Sequence, residues 1–287
     1  MKTRLSLALI SAVLAAAVLA GAGGAAPARA AQSPAAIARH VLGHAPRGLA
    51  ALVVRRGLVR VAVDANYPPQ SSIDPSTNRP AGFDVDVSRA VGALLGLDVR
   101  FTFPAWETIP ANLQKHRYYD VSIGSMEITP ARRSIVDFAT PYYFMAAQVV
   151  VKRGGASVHS VQDLFGHTVA VGAGTPYYDF LRRYPRIAVK PCVNDADAFP
   201  DLQIGKIKFV LTARETARYA IDAGQPLQFA GGALFHTRRA FAVGKGQADW
   251  LRLLNYAVHE MHRDGSLSTL SRKWYHGRDL TVWHWKH

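Results

Sequence analysis

The run Asp120-Val-Ser-Ile-Gly-Ser-Met-Glu-Ile-Thr-Pro-Ala-Arg132 carries the residue types best suited to hold a small charged molecule. Val121 to Ile123 read as a short apolar strand that opens into Gly124 and Ser125. Thr129-Pro130 reads as a helix start, with Thr as the cap and Pro at the first helical position, where its missing N–H costs nothing. Arg132 then falls in the first helical turn. A guanidinium there, beside unpaired backbone N–H groups at the positive end of a helix, suits a small carboxylate. An ordinary capped helix whose arginine faces water is the alternative that this segment alone leaves open.

Other chemistry-bearing residues form no comparable pattern. His284 and His287 are interleaved with Trp283 and Trp285 and have no acidic partner, which reads as a tail rather than a metal site. His159, His167, His236, His259 and His262 lack metal-ligand spacing. Cys192, the single cysteine, makes no internal disulfide and reads as a buried apolar residue. Gly172-Ala-Gly174 lacks the downstream Gly and Lys of a phosphate loop. No metal and no cofactor is expected.

The first thirty residues read as a secretory signal. Lys2 and Arg4 precede an apolar run from Leu5 to Leu19, and Ala28-Arg29-Ala30 is a small-x-small cleavage site. The glycines in Gly21 to Ala26 and the following Pro27 argue against a membrane anchor, and no cysteine near the cleavage site offers a lipid attachment. The product is expected to be soluble after cleavage and periplasmic or secreted. Of the 34 Lys and Arg, three lie in the signal, so 31 basic residues stand against 20 acidic ones, a net charge of +11. The basic residues are scattered in pairs such as Arg55-Arg56 and Arg182-Arg183, so they read as solvated faces, and no nucleic-acid motif is visible.

The remaining chain alternates strand and helix signals. Val59, Val61 and Val63 mark a strand ending at Asp64, and Tyr67-Pro68-Pro69 forces an irregular loop. Asp84 is placed to cap a helix with Val87, Ala90, Val91, Leu94 and Leu95 on one face, closed by Gly96. A strand through Val99, Phe101 and Phe103, a helix opened by Thr108 and Pro110, and the strand Val121 to Ile123 complete a βαβαβ unit. A second unit has strands at Thr168 to Val171 and Phe209 to Leu211, helices opened by Thr175-Pro176 and spanning Glu215 to Ala223, and a short strand near Leu227. Trp250, Leu253, Leu254, Ala257, Val258 and Met261 share one face of a long final helix, and Leu267, Leu270 and Trp274 continue a shorter one. Apolar crossings are expected near Ala147 to Val151 and Ala240 to Val243. Ligands of such sheets bind beyond the carboxyl ends of the strands, where Asp64, Ser125 and Thr175 all sit.

Gly82-Phe-Asp-Val-Asp86, Tyr119-Asp120, Ile128-Thr-Pro-Ala-Arg132, Val136-Asp-Phe138, Pro141-Tyr-Tyr143, Asp264-Gly-Ser-Leu267 and Lys273-Trp274 occur in order. Together they resemble the extracellular solute-binding proteins of ABC importers, in the polar amino acid branch, from about Leu58 to about Tyr275. The resemblance implies a type II periplasmic-binding-protein fold: two α/β lobes joined by two crossing segments. Residues 1–30 are then signal peptide, 31–57 a leader segment, 58–145 with 236–287 the first lobe, and 146–235 the second. It further implies that Arg132 grips a ligand α-carboxylate and that the carbonyl of Ser125, with Gly124 and backbone near Glu127, receives the α-ammonium. Asp64 and Tyr67 would meet the ligand side chain, Trp106 would supply a second aromatic face, and Thr175 would contribute from the second lobe. The protein would act as a monomer that hands a small solute to a membrane permease.

Two positions depart from that pattern. The acid expected for an α-ammonium falls on Ala213, next to Arg214, and Pro176 replaces a backbone N–H donor. Two charge-assisted hydrogen bonds of roughly 1.5–3 kcal/mol each are thereby absent, about 100-fold in affinity or more. Glu127 adds a second carboxylate to Asp64 in the first lobe. Together they are placed to hold a cationic ligand end, or one of them to replace the missing ammonium partner, unless Glu127 pairs with Arg132 or Arg133. Arginine, lysine, ornithine and glutamine are the first candidate ligands. An enzyme resembling cyclohexadienyl dehydratases, with Glu127 or Asp179 as the acid, and a soluble sensor are the alternatives.

Overall fold

Val59 and Val61 are buried while Leu58 and Arg60, which alternate with them, are half-buried, so this strand sets one face fully on the core. The structure is a computed structural model and describes residues 32–282; the expected signal segment, His284 and His287 lie outside them. The chain begins with α1 (Pro34–Leu42), α2 (Gly48–Arg56), β1 (Leu58–Ala62) and an antiparallel trio of short strands, β2 (Asn66–Tyr67), β3 (Ser71–Asp74) and β4 (Arg79–Ala81). There follow α3 (Phe83–Leu95), β5 (Asp98–Thr102), α4 (Ile109–Leu113), β6 (Val121–Ser122), α5 (Pro130–Ile135) and β7 (Val136–Phe138). The second half holds β8 (Tyr143–Lys152), β9 (Thr168–Gly172), α6 (Pro176–Leu181), β10 (Ala188–Cys192), α7 (Phe199–Gln203), β11 (Phe209–Ala213) and α8 (Arg214–Asp222). It closes with β12 (Leu227–Arg239), β13 (Ala242–Gly244), α9 (Ala248–Arg263) and α10 (Ser266–Trp274).

The strands build two five-stranded sheets, one ordered β5-β1-β6-β13-β7 and the other β10-β9-β11-β8-β12. Each is the sheet of one lobe. The long strands β8 and β12 run antiparallel, from Lys152 opposite Leu227 to Tyr143 opposite Arg239, and carry the chain between the sheets. Two α/β lobes joined by two crossing segments are therefore present. The second crossing is not where the apolar run Ala240 to Val243 suggested: Ala242–Gly244 is a strand inside the first sheet, and the crossing strand ends at Arg239. Its apolar character reflects burial within that sheet.

Residues 31–57, set apart in the sequence as a leader, contain two helices that bury Ala38, Leu42, Leu49, Ala50 and Val53 against the first lobe. Beside them Asp120, fully buried, pairs with Arg56 of α2 and with Arg60 of β1, the latter at 2.8 Å. After α10 the chain passes over the crossing strand: the N–H of Phe144 donates to the carbonyl of Leu280 at 2.9 Å, and Arg278 pairs with the buried Glu215 on α8.

Gly82, not Asp84, caps α3. Its φ of 132° and the approach of the Gln70 carbonyl, 2.4 Å from where a Cβ would stand, exclude any side chain there. Asp84 lies in the first turn, fully buried, and accepts hydrogen bonds from Ser125 Oγ at 2.5 Å and Tyr142 OH at 2.6 Å. Burial pushes its carboxyl up to about 7, and those two donors only partly oppose the shift.

Two outcomes follow from these buried acids. A carboxyl raised in the folded state stabilises most below its ordinary range and loses that contribution as pH rises through about 7. Asp84→Asn should therefore flatten the decline in melting temperature between pH 4 and pH 7, a difference of a few kcal/mol at about 1.4 kcal/mol per unit. Asp120→Ala should lower urea-unfolding stability by about 2–3 kcal/mol, below the full penalty of a wholly buried pair because both arginines reach water. An unchanged midpoint would mean that Arg56 and Arg60 find other partners.

Candidate functional site

The carboxyl ends of β1, β6 and β9 point at one another across the gap between the lobes. The loops beyond them line a cavity of about 50 Å³. Asp64, Tyr67, Trp106, Ser125 and Glu127 face it from the first lobe, and Gly172, Thr175, Tyr177, Asn194 and Asp195 from the second. Arg239, at the end of the crossing strand, closes one side. Six of the eight residues singled out in the sequence thus share one cavity wall. Gly124 and Arg132 do not line it. Gly124 instead lies against Ala62 and Val63 of the neighbouring strand end, where a Cβ would make only ordinary contact at 3.4 Å.

Ser125 holds a left-handed backbone, φ 59°, which a non-glycine residue keeps only when its surroundings fix it. Every polar atom of Ser125 is engaged. Its N–H donates to Tyr142 OH at 3.1 Å, its hydroxyl bonds to Asp84 and Tyr143, and its carbonyl accepts from Arg239 Nη1 at 2.5 Å.

Arg132 is where the helix start places it: Thr129 caps α5 and accepts the Arg132 N–H at 3.1 Å. Its guanidinium does not stand open to the cavity. Nη1 bonds to the Glu127 carboxylate and, at 3.3 Å, to the Glu127 carbonyl, while Nη2 donates across the gap to the Gly174 carbonyl at 2.9 Å. It also lies over the Trp106 ring at 5.5 Å, so one face of that indole is already engaged. Of the readings open for Glu127, pairing with Arg132 is the one found. Arg239, which the sequence did not single out, is a second partner at 2.5 Å. Burial raises the Glu127 carboxyl, but Arg239 and then Arg132 outweigh it and hold the group ionised, below its ordinary range.

Arg239 is 1 % exposed, and its Nη2 also donates to Tyr177 OH on α6 at 2.6 Å. Asn194 completes the links between lobes by donating to the Asn66 carbonyl at 2.7 Å. Thr175 caps α6, accepting from the Tyr178 N–H at 3.2 Å and donating to the Gly172 carbonyl at 2.8 Å.

The acid missing from Ala213 has a counterpart elsewhere. Ala213 is buried opposite Ala147, and Arg214 is turned away from the cavity, held by Gln148 Oε1 at 2.8 Å and stacked over Phe229. Arg214, although next to Ala213 in sequence, therefore does not oppose an ammonium in the cavity, because successive positions at a strand end face opposite ways. Asp195 presents a carboxylate from the second lobe instead. It accepts from the Gly172 N–H and from Thr212 Oγ1 at 2.9 Å. A Cβ on Gly172 would come within 2.4 Å of Asp195 Oδ1, so the glycine makes room for the acid. Burial raises Asp195 to about 6 against those two hydrogen bonds, and nearby Glu127 adds to the shift. Asp64, which accepts the Asn66 N–H at 2.8 Å, is likewise raised by burial. Among the described residues neither Asp64 nor Asp195 has a cation within ion-pair distance, and no His, Cys, Asp and Glu group could hold a metal. Cys192 is half-buried on β10, not fully buried as its type suggested. Asp179 is exposed outside the cavity.

Known proteins share this architecture. The L-cystine-binding protein TcyJ of Escherichia coli (strain K12) is 32 % identical over 240 residues, covering 83 % of this chain and 89 % of that protein. The putative ABC transporter arginine-binding protein 2 of the same organism is 31 % identical, covering 76 % and 90 %. Among solved structures, an ancestral arginine-binding protein bound to arginine superposes with a TM-score of 0.71 at 31 % identity, covering 77 % of this chain and 99 % of that one. An ancestral amino acid-binding protein described as a precursor of cyclohexadienyl dehydratase gives 0.72 at 29 %, covering 78 % and 98 %. The family model of the bacterial extracellular solute-binding proteins, family 3, matches residues 59–277, which takes in both sheets and every loop of the cleft, and the chain belongs to that family.

Proposed function

We propose that the protein captures a small polar solute with a cationic or amide end between its lobes and delivers it to an ABC permease. Arginine, lysine, ornithine and glutamine are the first amino acids to test. The observation that carries this reading is the pair of carboxylates, Asp64 from one lobe and Asp195 from the other, facing one cavity with no ion-pair partner of their own among the described residues, Arg239 in the same wall being paired with Glu127. Relatives named for binding arginine and cystine support the solute class. Membership of an extracellular family supports export and action outside the cytoplasm, and among the described residues no helix is long and apolar enough to cross a membrane.

A dehydratase on the same scaffold has one observation in its favour, the carboxyl of Asp195 raised to about 6 inside the cleft. The two acids considered from the sequence do not serve it. Glu127 is held ionised between two guanidiniums, and Asp179 lies outside the cavity. We therefore read the protein as non-enzymatic. Turnover of prephenate or arogenate by the purified protein would reverse that reading.

A thermal-shift and calorimetry screen of amino acids and amines tests the main proposal. A solute at 100 times its dissociation constant should add about 2.7 kcal/mol of stability. Asp195→Asn should weaken a cationic solute roughly 10- to 100-fold, the value of one charge-assisted hydrogen bond. The pH dependence has a definite sign. With Asp195 raised to about 6, its carboxylate is ionised above that value and neutral below it. Affinity should fall as pH is lowered from 7 to 5, and Asp195→Asn should remove most of that slope. A flat profile in the unaltered protein would exclude Asp195 from the contact.

A further inference from the structure

We propose that the segment Trp283 to His287 docks in extended form into a groove beside the crossing strands, turning both of its indoles inward and bridging the two lobes. The inference rests on the fold alone and is independent of which solute the cleft takes. These five residues lie beyond the described ones, so their seat is argued from the groove and from the course of the chain that leads to it.

The groove has a volume of about 880 Å³ and shares no lining residue with the solute cavity. Its walls are apolar and come from both lobes: Ile128 and Pro141 from the first, Pro176 from the second, and Phe144 and Phe235 on the crossing strands. All five are half-buried. Arg238, exposed, stands opposite Phe144 on the neighbouring strand and lines the same groove. An apolar groove with a cation at its rim suits an aromatic ring, which offers a hydrophobic body and an electron-rich face.

The chain is led to this groove. Arg278 pairs with Glu215 on the second lobe, and two residues later the Leu280 carbonyl accepts the N–H of Phe144 at 2.9 Å. Phe144 is itself a wall of the groove, and Val282 lies within about 7 Å of chain from Leu280. The five residues that follow span about 16 Å when extended, so they start at the edge of the groove with the reach to enter it. The phase of their side chains is set as well. Successive residues of an extended chain face opposite ways, and Thr281 is 4 % exposed whereas Val282 is 48 % exposed. Continued, that alternation turns Trp283 and Trp285 to the side of Thr281, toward the protein, and His284 and Lys286 toward water. Each indole brings on the order of 150–250 Å² to bury, and covalent attachment keeps its effective concentration at the groove high.

Hydrogen–deuterium exchange read by mass spectrometry, on the unaltered protein and on a variant ending at Val282, tests this. With the segment present, peptides carrying Phe144 and Phe235 to Arg238 should exchange about 10-fold more slowly than without it, and the melting temperature should be a few degrees higher. Trp283→Ser with Trp285→Ser should reproduce the loss, whereas His284→Ser with Lys286→Ser should leave exchange and melting unchanged. If the shortened variant matches the unaltered protein in both measurements, or if the outward pair matters as much as the indoles, the proposal is overturned. Sedimentation velocity identifies the other occupant: a dimer that becomes a monomer when the segment is removed means that a second copy fills the groove, which refutes docking within one chain. Should the shortened variant fail to fold by circular dichroism, the two double substitutions still decide the matter.

Discussion

Arg239 brings a positive charge to a position with almost no access to water, at the point where a crossing strand re-enters the first lobe. Taking a guanidinium out of water costs several kcal/mol unless opposite charge and hydrogen bonds compensate it. Here the compensation comes from three separate segments: Glu127 and Ser125 in the loop after β6, Tyr177 on α6 and Met145 on β8. The charge therefore fixes where those segments lie relative to one another. Two of them belong to different lobes, so the same side chain that neutralises Glu127 also sets the closed geometry of the cleft.

That arrangement is supported from below by the core. Phe83, Tyr142, Tyr143 and Tyr275 pack ring against ring, with centroids 4.8–6.1 Å apart. Tyr142 and Tyr143 hold Ser125 through their hydroxyls, and Asp84 accepts from both Ser125 and Tyr142. The left-handed turn at Ser125 is thus held on its N–H and its side chain, leaving the carbonyl to aim at Arg239. A constraint that begins as aromatic packing ends as the direction of one carbonyl group in the cleft.

The parts of this fold legible in the sequence are those with a clean period. The valines of β1, the apolar face of α3 closed by Gly96, and the face of α9 running from Trp250 to Met261 each announce their element. β12 was legible only as a short strand near Leu227, because its register shifts between Phe229 and Phe235 and much of its length is half-exposed. β2 to β4 sat behind Pro68-Pro69, which reads as a loop, and β10 is an edge strand carrying Pro191. In the site, Asp64, Ser125 and Thr175 were visible because each follows the end of a recognisable strand. Arg239 and Asp195 were not: the pairing of Arg239 with Glu127 spans more than a hundred residues, and Asp195 reaches the cleft through a short turn that no periodicity marks.

The segment after α10 gives the hinge a third ply. Two crossing strands alone resist separation but twist readily about their shared axis. Here a third stretch of chain is hydrogen-bonded to the first of them at Phe144 and tied by Arg278 to Glu215 on the second lobe. Glu215 is buried and its carboxyl is raised by that burial, which Arg278, followed by Arg214, Arg218 and His276, only partly offsets. This link between the lobes is made by residues that line no part of the cavity, so it and the solute contacts sit on separate parts of the chain.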